Sequence, residues 1–118
     1  MYVDGKKLVS DALAEIPNVT VTGSYNAGMK SLPCIIYAEL VNTKASKGPE
    51  LRTNLAYSID IYSEKSTTTL ASQVDEKMSN LGFKRGQCVD LDDPSGLRHK
   101  NMKYTGVYDW FQKRIYEE

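Results

Sequence analysis

Hydrophobic residues recur along this chain with two different periods, and the order in which the periods alternate predicts its elements. From residue 3 to 16, Leu8 or Val9, Ala12, Leu13 and Ile16 fall at helical spacing, with Lys6, Lys7, Asp11 and Glu15 between them. That spacing predicts an amphipathic helix, which Pro17 stops. Val19 and Val21 then alternate with Thr20 and Thr22, as in a short half-buried strand. Residues 23–32 are rich in Gly, Asn and Ser and predict a loop. Pro33 opens a run from Cys34 through Ile35, Ile36 and Tyr37 to Val41 with little polarity, which predicts a central strand covered on both faces. The polar stretch 42–50, with Gly48 and Pro49, predicts a long connection to the next strand. In residues 51–62, Leu55, Tyr57, Ile59 and Ile61 share one face, and Asn54, Ser58 and Asp60 the other. A register slip of one residue would expose every large apolar group of that strand.

The helical period returns at Leu70, Val74, Met78 and Leu81, with Ser66 as the expected N-cap and Gly82 as the expected C-terminal stop, Phe83 packing back. Residues 83–91 predict a strand centred on Cys88 and Val89, residues 92–101 a turn, and residues 102–116 one long final strand. In that last strand Met102, Tyr104, Gly106, Tyr108 and Trp110 face one way, and Thr105, Val107, Asp109 and Phe111 the other. The predicted fold is a single α+β domain over residues 1–118, in the order α-β-β-β-α-β-β. Its mainly antiparallel sheet is packed by two amphipathic helices, with the first three strands as a meander and the last two as a hairpin.

Composition changes this picture little. A chain of 118 residues suits one domain and can bury roughly two-thirds of the surface its unfolded form exposes. Fifteen basic residues balance fifteen acidic ones, so no net charge draws the chain to nucleic acid or to a membrane. No apolar run approaches the roughly 20 residues that span a bilayer, and the N-terminus has no apolar leader core, so the expected setting is the cytoplasm. Cys34 and Cys88 are expected as reduced thiols, a disulfide being open to them only if their strands are neighbours.

Candidate chemistry is sparse. Asp90, Asp92 and Asp93, followed by Ser95 and Gly96, suggest a calcium loop at first sight. Such a loop needs an oxygen ligand at position 5, Gly at 6 and Glu at 12. Counted from Asp90, these positions hold Pro94, Ser95 and Asn101, so the stretch reads as an acidic turn. A two-metal site would need carboxylates from separate elements, with Glu39 and Asp60 as strand-borne candidates. His99, the one histidine, lies among Arg98, Lys100 and Lys103 in the predicted turn and reads as a solvated side chain without a marked nucleophile. Tyr57, Tyr62, Tyr104 and Tyr108 fall on predicted strands, where aromatic residues pair across a sheet. A sheet stacking single-stranded bases would want interleaved Lys and Arg, which are sparse there. No zinc spacing and no phosphate-binding loop occurs, so no metal, cofactor or catalytic residue is expected.

Taken in order, these elements resemble the tail terminator (tail completion, or head–tail joining) proteins of long-tailed bacteriophages and prophages. The resemblance runs through the N-terminal helix, the Pro33-Cys34-Ile35-Ile36-Tyr37 strand entry, the alternation from Tyr57 to Tyr62, the Leu81-Gly82-Phe83 helix end, the acidic strand end at Asp90, Asp92 and Asp93, and the strand from Lys103 to Tyr108. It implies a non-enzymatic structural protein that caps the tail tube as a hexameric ring, ends polymerisation and offers a surface to the head. The implied partners are other copies of the chain, the tail tube protein and the head connector protein, with DNA only as passing genome and no membrane. The implied location is the host cytoplasm during assembly, then the head-proximal end of the tail. Another head–tail connector or minor tail protein, a nucleic-acid-binding module and a small enzyme are the alternatives. Contact residues are expected on the loops 23–32 and 42–50 and the basic stretch after them, namely Lys44, Lys47, Glu50, Arg52, Arg98 and Lys100, with an edge position for the final strand.

Overall fold

The structure, a computed structural model, describes residues 2–25, 31–45 and 47–117. Helix α1 (Gly5–Leu13) starts where the Asp4 carboxylate accepts the Lys7 N–H at 3.1 Å, and it buries Val9 and Leu13. It ends earlier than the periodicity predicts. The N–H groups of Glu15 and Ile16 bond to Ala12 and Leu13, a tighter turn that runs into Pro17 and still buries Ile16. Helix α2 (Thr68–Leu81) has Thr67, not the expected Ser66, at its N-cap; the Ser66 hydroxyl accepts the Thr68 N–H from one residue farther out. It closes at Gly82, whose φ of 107° is the left-handed conformation a helix terminator needs. Buried Phe83 donates its N–H to the Met78 carbonyl, as the sequence predicts for a residue folding back.

The strands are β1 (Thr20–Thr22), β2 (Cys34–Lys44), β3 (Arg52–Ser63), β4 (Lys84–Leu91), β5 (Arg98–Asp109) and β6 (Arg114–Tyr116). They form one sheet in the order β1-β2-β3-β5-β4, with β6 also paired to β5. Its spine is the β3–β5 ladder, unbroken from Arg52 opposite Asp109 to Ser63 opposite Arg98. At about 3.3 Å per residue these strands run along the 48 Å long axis of a body only 24 × 23 Å across. The α+β class, the element order and the helices packed on a mostly antiparallel sheet all follow the sequence expectation.

Four strand expectations are corrected. First, β1 runs parallel to β2, not antiparallel as the first strand of a meander: Thr20 pairs with Cys34 and Thr22 with Ile36, so both strands start at the same end of the sheet. Second, β2 is covered on both faces only over Cys34, Ile35 and Ile36; farther on, Leu40 and Val41 are exposed, and Leu40 is the extra residue of a bulge between Glu39 and Val41. Third, β4 has no buried apolar centre. Cys88 is exposed and Val89 half-buried, because β4 is the outer strand and pairs with β5 on one side only; its own bulge falls between Arg85 and Cys88. Cys34 and Cys88 therefore stand on strands separated by β3 and β5, which rules out a disulfide between them. Fourth, the long final strand breaks after Asp109, turns, and returns as β6 against Val107, Tyr108 and Asp109. This places β5 inside the sheet, with β4 and β6 end to end along one side and β3 along the other, rather than at an edge.

The main core lies between the helices and one sheet face. Leu55, Tyr57, Ile59 and Ile61 of β3 and Met102 and Tyr104 of β5 meet Val9, Leu13, Val74 and Met78 of the helices, and all are essentially inaccessible. Each such side chain contributes about 1.5–3 kcal/mol through burial. Tyr57 and Phe83 pack edge to face with ring centres 5.5 Å apart. On the opposite face a smaller cluster of Cys34, Ile36 and Tyr62, flanked by Leu32 and Leu97, covers only one end of the sheet. No helix among the described residues is long and apolar enough to cross a membrane.

Candidate functional site

Because β3 and β5 span the length of the molecule, they define two ends, and the residues that the sequence nominates divide between them. Lys44, Lys47, Glu50 and Arg52 sit at the end where β2 turns into β3. Lys44 ends β2 and its ammonium donates to the Gly48 carbonyl, the Glu50 carboxylate accepts from the Thr53 hydroxyl, and Lys47 and Arg52 are exposed. Arg98 and Lys100 open β5 at the far end, with Arg98 exposed and Lys100 bridged to Asp90 at 2.8 Å. The six residues thus form two separate groups. Of the loop 23–32, residues 26–30 lie outside those described.

The end carrying Arg98 and Lys100 is charged. A groove of about 720 Å³ opens between the start of α2 (Ser66, Thr67 and Thr68) and the hairpin that joins β4 to β5. Its carboxylates are engaged locally. Asp93 accepts the N–H and the hydroxyl of Ser95, bonds that hold its carboxyl below the ordinary carboxylate range, and Asp90 takes Lys100. The acidic turn read from the sequence is thus a self-bonded turn, and no cluster of three metal-ligating side chains occurs among the described residues. The predicted 92–101 turn is shorter than expected, since residues 98–101 already belong to β5.

That shortening changes the standing of His99. It is not a solvated turn residue: strand register sets it opposite Tyr62, on the face away from the helices, with its side chain 12% exposed. The two rings stack at 4.1 Å and 16°, and Nε2 lies 2.7 Å from the Asp60 carboxylate. Asn101 donates to the same Asp60 oxygen at 2.9 Å and to Ser58 at 2.8 Å. The result is a polar strip of alternate β3 and β5 residues along the open face, each fixed by its cross-strand neighbour. Burial and the nearby Asp60 carboxylate push the Tyr62 phenol up to about 12. Glu39, the other carboxylate considered for a metal pair, lies elsewhere: it accepts the Tyr57 hydroxyl at 2.7 Å and the Asn42 amide at 3.3 Å. Burial first, and the hydrogen bond to Glu39 second, raise Tyr57; burial and Asp75 do the same to Tyr104.

The other end, besides Lys44, Lys47, Glu50 and Arg52, exposes large apolar side chains that the sequence reading missed. Leu51 is 62% exposed, Tyr2 66% and Phe111 94%. All three belong to the end where β3 starts and β5 stops, since the Trp110 N–H donates to the Leu51 carbonyl and Asn42 of β2 donates its side-chain amide to the Val3 carbonyl. The turn that presents Phe111 is rigid. One oxygen of Asp109 accepts the N–H groups of Phe111 and Gln112 at 2.8 and 3.0 Å, and Lys113 closes the turn in the left-handed region at φ 56°. Trp110 anchors it by donating Nε1–H to the buried Thr53 hydroxyl at 2.8 Å. Asp109 was the one available sequence signal, a turn-forming side chain ahead of a stretch that lacks Gly, Pro and Asn.

Scans against protein-family models and against curated proteins find no match to this chain.

Proposed function

We propose that the chain is a structural subunit of a virion assembly of the kind its element order resembles. In this reading it caps the tail tube of a long-tailed phage as a ring of identical copies, ends polymerisation and joins the tail to the head connector. What carries the reading is the chemical difference between the two ends of one rigid sheet. A subunit that closes into a ring between two unlike partners needs distinct surfaces, not one repeated patch. Here an end that exposes Phe111, Tyr2 and Leu51 beside basic residues, and an end whose groove is lined by locally paired charges, are held apart by the full length of the β3–β5 ladder. The element order agrees with the one the resemblance implies, and the balanced charge suits a protein that lets DNA pass rather than one that grips it.

The test is deletion of the coding sequence from the phage or prophage genome that carries it, followed by electron microscopy of the induced particles. Overlong or polydisperse tails apart from filled heads are expected. Tails of normal length left unattached to heads would move the assignment to a connector, and intact infectious particles would overturn the assembly reading.

A further inference from the structure

A groove at the end that carries Phe111 is apolar in its lining and basic along one wall. It holds about 560 Å³ between α1, the end of α2 and β6, within the roughly 300–1,000 Å³ of pockets that take up a ligand. Its apolar lining is Tyr2, Leu8, Leu81, Tyr108, Trp110 and Ile115, and the rings of Tyr108 and Trp110 meet edge to face at 5.0 Å. The charges around it are engaged unequally. On the α1 wall, Asp11 is bridged to Lys7 at 2.9 Å, and Asp4 caps the helix by accepting the Lys7 N–H. On the hairpin wall, Lys113 and Arg114 are exposed, and among the described residues neither forms an ion pair. The Arg114 Nε–H donates to the neutral amide of Gln112 at 2.7 Å. Lys47 and Arg52, at the same end, are exposed and likewise outside any ion pair among the described residues. Two carboxylates share this end, but both are turned to their own chain: Glu50 accepts the Thr53 hydroxyl, and one oxygen of Asp109 accepts the N–H groups of Phe111 and Gln112. The charge left over here is therefore positive, although the whole chain is neutral.

We infer that this end docks a different protein, through a segment that seats an apolar side chain in the groove and sets flanking carboxylates on Lys113 and Arg114. Charge complementarity selects the occupant. Two copies meeting through this end would set Lys47, Arg52, Lys113 and Arg114 against the same four residues, a like-charge contact that opposes association. A polyphosphate chain would satisfy the basic groups but has no apolar group for the groove, and it would leave Leu51, Tyr2 and Phe111 in water. An acidic segment with an apolar residue at its centre answers both features at once, and aromatic residues and arginine are the types that interface centres favour. The inference does not rest on a role in virion assembly. Within that role it would give this end to one of the two unlike partners and leave contacts between neighbouring copies to other surfaces.

Capped pentapeptides titrated into the full chain test it, with the fluorescence of Trp110, the one tryptophan, as the readout. A peptide with phenylalanine between two pairs of glutamates should shift that emission along a saturable curve, with a dissociation constant of about a millimolar or tighter. The same peptide with lysines in place of the glutamates, or with serine in place of phenylalanine, should bind at least about tenfold more weakly. Added salt should weaken the acidic peptide. The double variant Lys113→Glu with Arg114→Glu changes only exposed side chains, so it should keep the parent's thermal melt and reverse the preference towards the lysine peptide. Such a gain cannot come from misfolding. Arg114→Glu alone should already weaken the acidic peptide severalfold. An acidic peptide that binds only beyond about a millimolar, or no tighter than the lysine or serine peptide, would overturn the inference, as would variants with the parent's preference. Two other results would overturn it by naming another occupant. One is an oligothymidylate that displaces the acidic peptide at concentrations where free acidic peptide does not. The other is a sedimentation mass above 13.2 kDa that falls when the acidic peptide is added. None of these outcomes depends on the deletion phenotype, so the two readings fail separately.

Discussion

The two ends of this molecule are built from the same strands yet solve opposite problems. At the charged end the polar groups bond to one another around an exposed Arg98: His99 and Asn101 share Asp60, Asp90 takes Lys100, and Asp93 takes Ser95. At the apolar end the backbone is equally well tied, through Asp109, Trp110 and Thr53, but what it holds outward is Phe111, Leu51 and Tyr2. The first end spends its hydrogen bonds satisfying itself. The second uses them to fix apolar side chains in water, an arrangement that gains stability only when something covers it. Rigid backbone does not by itself mark a surface as finished.

The comparison is broken most severely by one substitution made at both ends. A Cβ at Gly82 would stand 2.1 Å from the Ile115 carbonyl oxygen, in addition to the positive φ, so Gly82→Ala must push β6 off the end of α2. We expect a loss of about 3 kcal/mol or more and a melting point lower by at least about 10 °C in calorimetry. Gly96, at the charged end, has an equally left-handed φ of 83° but open space around it, so Gly96→Ala should cost about 1 kcal/mol, backbone strain alone. Equal losses for the two would mean that β6 is not locked by Gly82.

Next in size come the polar anchors. Asp60→Ala removes the carboxylate beside His99 and one of the two acceptors of Asn101, and should cost about 2 kcal/mol in chemical denaturation, with Asp60→Asn recovering part. Trp110→Phe removes the donor to Thr53 at the apolar end and should cost about 1 kcal/mol, since the Thr53 hydroxyl keeps Glu50.

A smaller effect separates the ends by pH. A phenol whose pKa is raised by folding contributes its stability in full below the unfolded value near 10 and loses it as pH climbs through the folded value. For Tyr62 that window runs from about 10 to about 12, and Tyr57 and Tyr104 are shifted in the same direction. Stability should therefore fall steadily above pH 10, and ultraviolet titration should find phenols that ionise only with unfolding. Tyr62→Phe should remove one of them, and a titration unchanged by that substitution would place the shift elsewhere. Smallest of all, Lys100→Ala loses one bridge to a mostly exposed Asp90 and should shift stability by less than about 0.5 kcal/mol.

What was legible in the sequence follows from the range of the forces involved. The alternation of Leu55, Tyr57, Ile59 and Ile61 and the stripe around Val74 and Met78 are local patterns, and they place the core, both helices and most strands. The parallel pairing of β1 was not legible, because it depends on where a long connection delivers the chain and not on the composition of β1. The role of His99 was hidden for a similar reason: its partners, Asp60 and Tyr62, are distant in sequence and meet it only through the β3–β5 register. The apolar end was obscured by a single turn. Read as continuous strand, residues 110–113 leave Phe111 as one more alternating position, whereas the Asp109 carboxylate converts it into a projecting tip. The basic residues chosen as contacts were visible as charges, but their division between two ends was not.

The bulges at Leu40 in β2 and between Arg85 and Cys88 in β4 carry a further consequence. The first lies in the part of β2 beyond its pairing with β1 and the second in the outer strand β4, and Lys84 and Arg85 stand beside the second. A smooth, uncharged border would invite another sheet to add its backbone rung by rung, a contact indifferent to sequence and prone to grow without limit into fibres. With both borders kinked, encounters between copies must be settled by side chains. Gatherings of this protein are thereby steered towards finite, reversible and mutable contacts, and away from the permanence of a filament.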